Sequence, residues 1–156
     1  MGLFSFIKGA GKKIFGKKEE ATTSSATPEM MGPSKEELLK AEIASLGLPI
    51  SNLDVDLSEK VTVTGTTETN ADREKVMLAL GNVDCIGCVE DMITVNNPEP
   101  EATFHVVKSG DTLSKISKEV YGDPMKYNAI FEANKPMLDH PDKIYPGQTL
   151  RIPANA

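Results

Sequence analysis

The side chains with the most reactive chemistry lie together in one short stretch, residues 81–89. Cys85 and Cys88 are spaced Cys-x-x-Cys, the spacing of dithiol switches and of half a zinc site. A structural zinc ion needs four ligands, and both histidines, His105 and His140, lie well outside this stretch. The simplest interpretation is a pair of buried or half-buried thiols. Redox control is the second interpretation and metal binding the third.

The same stretch also offers backbone chemistry. A predicted helix ends near Gly81, and the last carbonyls of a helix lack intrahelical partners and carry the negative end of the helix dipole. Such a position suits a cation, and the glycines at 9, 11, 81 and 87 give the backbone freedom to turn inward. On spacing alone, a helix C-cap at Gly81 followed by a plain connector is the simpler explanation.

No group of residues in the sequence predicts catalysis. Neither histidine lies beside a candidate nucleophile, and the carboxylates are scattered over what the patterns indicate are solvent faces. These residues provide no acid, base and nucleophile that can act together. We therefore expect a binding protein and not an enzyme.

Charge is distributed unevenly along the 156 residues. The formal net charge is −6, but residues 1–18 contain five lysines and no acid, which leaves −11 for the rest of the chain. An acidic body with few aromatic residues and no basic stripe is a poor nucleic-acid binder.

The start of the chain has no pattern that predicts export. The apolar run at residues 3–7 is interrupted by Ser5 and ends at Lys8, whereas a secretory signal needs about 7 to 15 apolar residues. No segment reaches the roughly 20 apolar residues of a membrane span. We expect a cytoplasmic protein, in which both cysteines would stay reduced.

Residues 1–18 form a basic amphipathic segment. Leu3, Ile7 and Ile14 recur at helical spacing, opposite several lysines. The favoured interpretation is that this apolar side docks on the neighbouring domain, and the alternatives are an anionic membrane surface or a loose tail. Residues 19–33 are rich in Thr, Ser, Met and Pro without periodicity, and are predicted to be a flexible linker.

Residues 34–95 predict an α-β-β-α-β unit. A capping box at Ser34 and Glu37 begins the first helix, two alternating strands follow as a hairpin, and Thr69 with Asp72 begins the second helix. The Val-Thr-Val-Thr-Gly strand and the passage from the second helix through Gly-x-Val-x-x-Ile resemble the BON domain. That resemblance implies binding to membranes or partner molecules.

Residues 104–153 predict a β-α-α-β unit after a short Pro-containing linker, residues 96–103. Asp111 is predicted to cap the first helix, Gly122 to end it, and Asp123 with Pro124 to begin the second. The motifs Gly-Asp-Thr-Leu and Tyr-Pro-Gly-Gln-x-Leu-x-Ile-Pro are similar to those of the LysM domain. The fold class is therefore α+β, with two small domains joined by a short linker.

The LysM resemblance implies binding of glycans that contain N-acetylglucosamine. The groove of such domains lies between two loops. The favoured alternative is that these loops serve only the fold, as turns and a helix cap. Carried over to this sequence, the groove residues are Gly110, Asp111, Thr112, Leu113, Ile144, Tyr145 and Pro146.

The order BON then LysM, on a chain that begins Met-Gly-Leu-Phe-x-Phe, resembles a family of small cytoplasmic bacterial potassium-binding proteins. The resemblance implies K⁺ as the ligand, no organic cofactor, and a monomer that acts as an ion sensor or buffer. Potassium sites commonly use several carbonyl oxygens. The implied ligands are the backbone carbonyls of Ile7, Ala10, Lys12, Gly81, Val83 and Ile86.

Overall fold

The computed structural model describes residues 2–6, 11, 34–57, 60–83 and 86–154. The predicted ligands Ile7, Ala10 and Lys12 lie outside the described residues, as do Cys85 and the predicted linker at 19–33. Predictions that concern those positions therefore stay predictions.

The first domain has the predicted α-β-β-α-β order. It consists of α1 (Lys35–Ser45), β2 (Ser51–Asp56), β3 (Val61–Thr69), α2 (Asn70–Gly81) and β4 (Cys88–Asn97). β2 and β3 form an antiparallel hairpin, whereas β3 and β4 pair in parallel and are joined through α2. Local signals fix the helix starts as predicted: Ser34 and Glu37 form a reciprocal capping box, and the Thr69 side chain accepts from the Asp72 N–H.

A fourth strand, β1 (Gly2–Ser5), extends this sheet in the order β1-β4-β3-β2. β1 is antiparallel to β4, with Phe4 opposite Val89 and Ser5 opposite Cys88. The predicted docking of the N-terminal segment on the neighbouring domain is thereby confirmed for these residues. The helical spacing was misleading here, because Leu3 and Phe4 alternate between solvent and the core as strand residues do.

Both helices of the first domain pack on one face of the sheet. The core contains Leu39 and Ile43 of α1, Val63 of β3 and Leu80 of α2, all at most 1% exposed. α1 ends at Ser45, and Gly47 follows with φ +64°, the left-handed conformation that glycine adopts without a steric cost.

The second domain has the predicted β-α-α-β order. It consists of β5 (Thr103–Val106), α3 (Leu113–Tyr121), a 3₁₀ turn (Pro124–Lys126), α4 (Tyr127–Ala133) and β6 (Thr149–Ile152), with β5 antiparallel to β6. Gly122 ends α3 with φ +73°, as predicted, and Asp123 caps the turn that precedes α4. Its core includes Ile116, Ile130, Leu150 and Ile152.

The predicted cap of α3 is wrong by one residue. The N-cap is Thr112, whose hydroxyl accepts from the Lys115 N–H at 3.2 Å. Asp111 instead closes the preceding turn, because its carboxylate accepts from the Lys108 N–H at 2.9 Å. Two neighbouring polar residues can each serve as a cap, and the turn geometry decides between them.

The linker between the domains is short and fixed. β4 continues through Asn97, and Ala102 is already buried, with its N–H donated to the Glu74 carboxylate at 3.0 Å. The two domains are therefore in contact and not merely joined. Among the described residues, no helix combines the length and the apolar character that crossing a membrane requires.

Candidate functional site

The candidate site lies where α2 ends. Gly81 is the last residue of the helix and Asn82 is its C-cap, so the sequence-based assignment of Gly81 as the cap was one residue early. The chain then turns tightly: Val83 N–H donates to the Leu80 carbonyl at 3.1 Å, and Ile86 N–H donates to the Val83 carbonyl at 3.2 Å. Val83 and Ile86, two of the predicted ligands, therefore lie in the turn that follows the third, Gly81, at the end of the helix.

Phe6 packs directly against Gly81. A Cβ built on Gly81 would overlap the Phe6 ring, so no other residue type fits there unless the ring moves. The prediction that Gly81 supplies backbone freedom is wrong, because this residue is helical. Its role is steric. Backbone freedom is used at Gly11, whose φ is +146°.

The N-terminal segment meets the turn through its backbone as well. Phe6 N–H donates to the Gly87 carbonyl at 2.8 Å, which continues the pairing of β1 with β4. Ile7, the first predicted ligand, follows Phe6 directly in the sequence. The structure thus brings Phe6, the residue before this predicted ligand, to the turn after α2.

The side chains in the turn after α2 are occupied by packing. Val83 and Ile86 are 1% and 4% exposed and belong to the domain core, so a ligand at this turn could contact only their backbone groups. A carbonyl oxygen has two lone pairs, so the Val83 oxygen keeps one beside the bond from Ile86. Within the described ranges, no group of three or more His, Cys, Asp and Glu side chains is arranged to hold a metal ion.

Asn82, which the sequence analysis missed, joins this turn to the second domain. Its side-chain amide donates to the Thr149 carbonyl and accepts from the Thr149 N–H, both at 2.9 Å. The two residues are 67 positions apart in sequence, so no local pattern could have indicated the pair. In a sequence, a single Asn after a helix indicates only an ordinary turn.

Two buried carboxylates contradict the expectation that the acids lie on solvent faces. Glu74 is 2% exposed and forms an ion pair with Arg151 of the second domain. Asp91 is 0% exposed and forms an ion pair with Arg73, whose other end contacts Glu101. Partial burial opposes the charge of Arg73, but the hydrogen bond and charge of Asp91 prevail and raise its pKa. Both carboxylates serve the structure, because each is paired with an arginine.

Aromatic and apolar contacts complete the junction of the two domains. The rings of Phe4 and Phe104 meet edge to face, with centroids 5.5 Å apart, so the N-terminal strand touches both domains. Met137 of the second domain packs against the core of the first. The turn after α2 is therefore surrounded by the N-terminal segment on one side and β6 on another.

Cys88 differs from the expected buried thiol. It is free and exposed, and it lies on β4 opposite Ser5. Side chains alternate along a strand, so Cys88 points to the solvent face while Val89 points to the core. The redox interpretation of Cys85 and Cys88 stays a prediction, since Cys85 is outside the described residues.

The first group of predicted glycan residues is largely committed to the fold. Gly110 forms a turn with φ +84°, and its carbonyl accepts from Lys115 Nζ at 2.8 Å. The pKa of Asp111 is lowered by the hydrogen bond from the Lys108 N–H and then by His105. Thr112 caps α3, and Leu113 is 2% exposed in the core.

The second group of predicted glycan-binding residues, 144–146, lies apart from the first group. Ile144 packs against the core of the second domain and Pro146 is exposed. Tyr145 lines a cavity of about 260 Å³ between the two domains, and burial raises the pKa of its hydroxyl. The opposite wall includes Leu78 and Asn82 of the first domain. The cavity lining does not include residues 110–113.

Comparison with known proteins defines the class of this chain. The BON domain family matches residues 35–97 and the LysM domain family matches residues 105–153. The chain is a two-domain BON–LysM protein, as its strands and helices indicate.

A full-length relative narrows the class further. The chain is 43% identical over 155 residues to the potassium binding protein Kbp of Escherichia coli O6:H1, which covers 98% of this chain and 99% of the relative. This chain therefore belongs to the BON–LysM family that includes Kbp. It is also 51% identical over 51 residues to an uncharacterized protein of Deinococcus radiodurans, a match to 33% of this chain and 19% of that protein.

Proposed function

We propose that this protein binds potassium ions through backbone carbonyls where its N-terminal segment meets the turn after α2. The ligands are the carbonyls of two groups, one from each segment. The proposal rests on the position of Phe6: its ring packs on Gly81, and its N–H donates to the Gly87 carbonyl. The first group is Ile7, Ala10 and Lys12, and the second is Gly81, Val83 and Ile86.

The chemistry of the turn supports this choice of ion. Potassium is selected by several carbonyl oxygens, whereas calcium and magnesium prefer carboxylate-rich sites. Among the described residues, the buried carboxylates Glu74 and Asp91 are each paired with an arginine. Kbp, a relative over almost the whole chain, carries a name that states potassium binding.

The proposed role is that of an ion sensor or buffer. The two ligand groups are far apart in sequence, so only the arrangement with the N-terminal segment in place presents all the carbonyls. An ion that binds this arrangement better than others shifts the population toward it. We propose that the protein acts as a cytoplasmic monomer and is a binding protein without catalytic activity.

Thermal unfolding in potassium, sodium and rubidium chloride at equal ionic strength tests the proposal. A ligand at 100 times its dissociation constant stabilises the folded state by about 2.7 kcal/mol. This corresponds to a rise of several degrees in the unfolding midpoint for a chain of this size. We expect the rise in potassium and not in sodium. Coincident curves in potassium and sodium chloride would refute the proposed site.

A variant pair separates the site from general stability. Phe6→Ala removes the ring that seats the N-terminal segment and should weaken the potassium-dependent rise. Met125→Ala is the matched control, because Met125 is 74% exposed on the second domain and its loss should leave the rise intact. An equal potassium-dependent rise in the unfolding midpoint of both variants would contradict a site built from the N-terminal segment and the turn after α2.

The second candidate function is binding of an N-acetylglucosamine unit by the LysM domain. Tyr145 favours it, because a half-buried aromatic ring beside Lys143 and Gln148 offers a stacking face and polar partners. Titration of the full chain with chito-oligosaccharides, followed by NMR, tests it. Shifts confined to residues 143–148 and the cavity lining would support it, and an unchanged spectrum would exclude it.

A membrane-surface role for the N-terminal segment has less support. An amphipathic helix that begins at Leu3 is the form such a role requires, and residues 2–5 form a strand of the sheet instead. Flotation of the full chain with anionic liposomes tests this role, and only co-flotation with the liposomes would support it.

A further inference from the structure

Two asparagine side chains occupy the free edge of β6. β5 pairs with one edge of this strand. On the other edge, the Thr149 peptide groups pair with the Asn82 amide, both bonds at 2.9 Å. The Arg151 peptide groups pair with the Asn134 amide at 2.7 and 2.8 Å. Toward β6, each amide donates once and accepts once, as a neighbouring strand would; Asn134 also donates to the Ile130 carbonyl of its own helix at 2.7 Å.

The two asparagines differ in where they come from. Asn134 is the C-cap of α4 and belongs to the same domain as β6. Asn82 is the C-cap of α2 in the other domain, and it stands between Gly81 and Val83 in the sequence. The same hydrogen-bonding pattern therefore occurs twice on this edge of β6. Asn134 forms it within the second domain, whereas Asn82 forms it from the first domain.

We propose that Asn82 is the positioning residue through which the LysM domain holds the ion-binding turn. The proposal rests on the potassium function proposed above. The Gly81 carbonyl and the Asn82 N–H belong to one peptide unit, so fixing Asn82 on β6 constrains the direction of the Gly81 carbonyl and the point from which the chain continues to Val83. The strand contributes geometry and does not itself contact the ion.

Other contacts on α2 make this constraint rigid. Glu74, Leu78 and Asn82 recur at four-residue spacing and therefore lie along one face of α2. Glu74 forms an ion pair with Arg151, Leu78 lines the cavity between the domains, and Asn82 pairs with Thr149. The face of the helix that ends at the ion-binding turn is held at three successive turns.

Ion binding and domain docking meet at Asn82, which forms the bonds to Thr149 and lies next to the proposed ligands Gly81 and Val83. Because linkage is reciprocal, an ion that orders the turn strengthens domain docking by the same factor by which docking strengthens ion binding.

The test compares potassium binding by wild type, Asn82→Ala and Asn134→Ala, measured by isothermal titration with potassium chloride on the full chain. We expect Asn82→Ala to raise the dissociation constant about fivefold or more, in the usual range of coupling between sites. Asn134→Ala removes the same two kinds of bond from the same strand. It should lower the unfolding midpoint of the LysM domain and leave the dissociation constant unchanged. If Asn82→Ala fails to fold, Asn82→Asp takes its place, since it loses the donor to the Thr149 carbonyl and keeps an acceptor.

Amide hydrogen exchange gives a second test. If Asn82 had only a structural role, potassium would not change the exchange rate of the Thr149 amide through it. Potassium should slow exchange of the Thr149 amide in wild type and have a smaller effect on the Arg151 amide, whose acceptor Asn134 lies in its own domain. In Asn82→Ala the potassium effect at Thr149 should disappear.

The outcomes separate this proposal from the function on which it rests. Wild type that binds no potassium overturns both. Potassium binding by wild type with an equal dissociation constant for Asn82→Ala overturns the role of Asn82 alone. Equal weakening by Asn82→Ala and Asn134→Ala also overturns it, because the effect would then belong to the integrity of β6.

Discussion

The contact between Phe6 and Gly81 predicts an unusual reversal of sign for a glycine-to-alanine change. Gly81 is the last residue of α2, where alanine would ordinarily stabilise the helix by about 0.5 kcal/mol. In this fold the added methyl group would overlap the Phe6 ring. The ring must move away from Gly81, and the N-terminal segment then keeps only its other contacts, such as the pairing of β1 with β4.

The size of the effect follows from the burial of the ring. A fully buried Phe side chain contributes about 1.5–3 kcal/mol, and Phe6 is mostly but not fully buried, so its displacement costs about 1–2 kcal/mol. After the helical gain of about 0.5 kcal/mol, Gly81→Ala should destabilise wild type by about 1 kcal/mol. In a Phe6→Ala background the ring is absent, and the same change should stabilise by about 0.5 kcal/mol.

A double-mutant cycle in denaturant unfolding measures this reversal. All four proteins are compared in sodium buffer without potassium, so that the result does not depend on the proposed ion. The coupling between the two positions should be about 1–2 kcal/mol, the cost of displacing the ring. If Gly81→Ala stabilises both backgrounds equally, the ring does not lie on Gly81 and the two-part site loses its main support.

Three further changes test other parts of the structure. Glu74→Gln should lower the free energy of unfolding by about 3–5 kcal/mol, because it leaves the largely buried Arg151 without its counter-charge. Glu74→Leu combined with Arg151→Met should lower it much less. Denaturant unfolding of both proteins measures the difference. Gly122→Ala should destabilise the second domain by about 1 kcal/mol, since φ is +73° there, and its unfolding midpoint shows this. The folded-state pKa of Asp111 is below its ordinary value of 3.8, so the stability it contributes is present above that value and is lost as the pH falls through the folded pKa. Asp111→Asn should therefore flatten the fall of the unfolding midpoint between pH 5 and pH 2, and an unchanged slope would show that Asp111 is not responsible.

Most of the fold could be predicted because its signals are local. The capping box at Ser34, the cap at Thr69 and the glycine after α3 at Gly122 each depend on residues within four positions, and the alternation along β3 directly indicates a half-buried strand. These features decide where elements begin and end whatever the rest of the chain does. The element order in both domains followed from them.

β1 was missed because a short segment fits two periods at once. Leu3 and Ile7 satisfy helical spacing, and Phe4, Ser5 and Phe6 also satisfy the alternation of a strand. β4 decides between them, because its free edge offers backbone partners that a helix could not use. No feature within the first seven residues contains that information.

The candidate site could be predicted only in part, since carbonyl ligands leave little trace in side-chain types. The turn after α2 was indicated by family resemblance and by the end of the helix. Asn82 and the pair of Glu74 with Arg151 were not indicated at all. Their partners lie 67 and 77 positions away, and the usual rule that charged residues are exposed argued against burying Glu74.

α2 explains why these long-range contacts matter for the site. Eight of its twelve residues are buried, because one side packs on the sheet of the first domain while the side with Glu74 and Asn82 packs on the second. A helix held on both sides cannot rotate or slide, so the turn that follows it inherits a fixed starting direction. Carbonyl ligands need such a fixed backbone, since a peptide group has no rotamer of its own to adjust. Phe6 adds a contact from the N-terminal segment to the last residue of this helix, so three parts of the chain meet at the start of the turn.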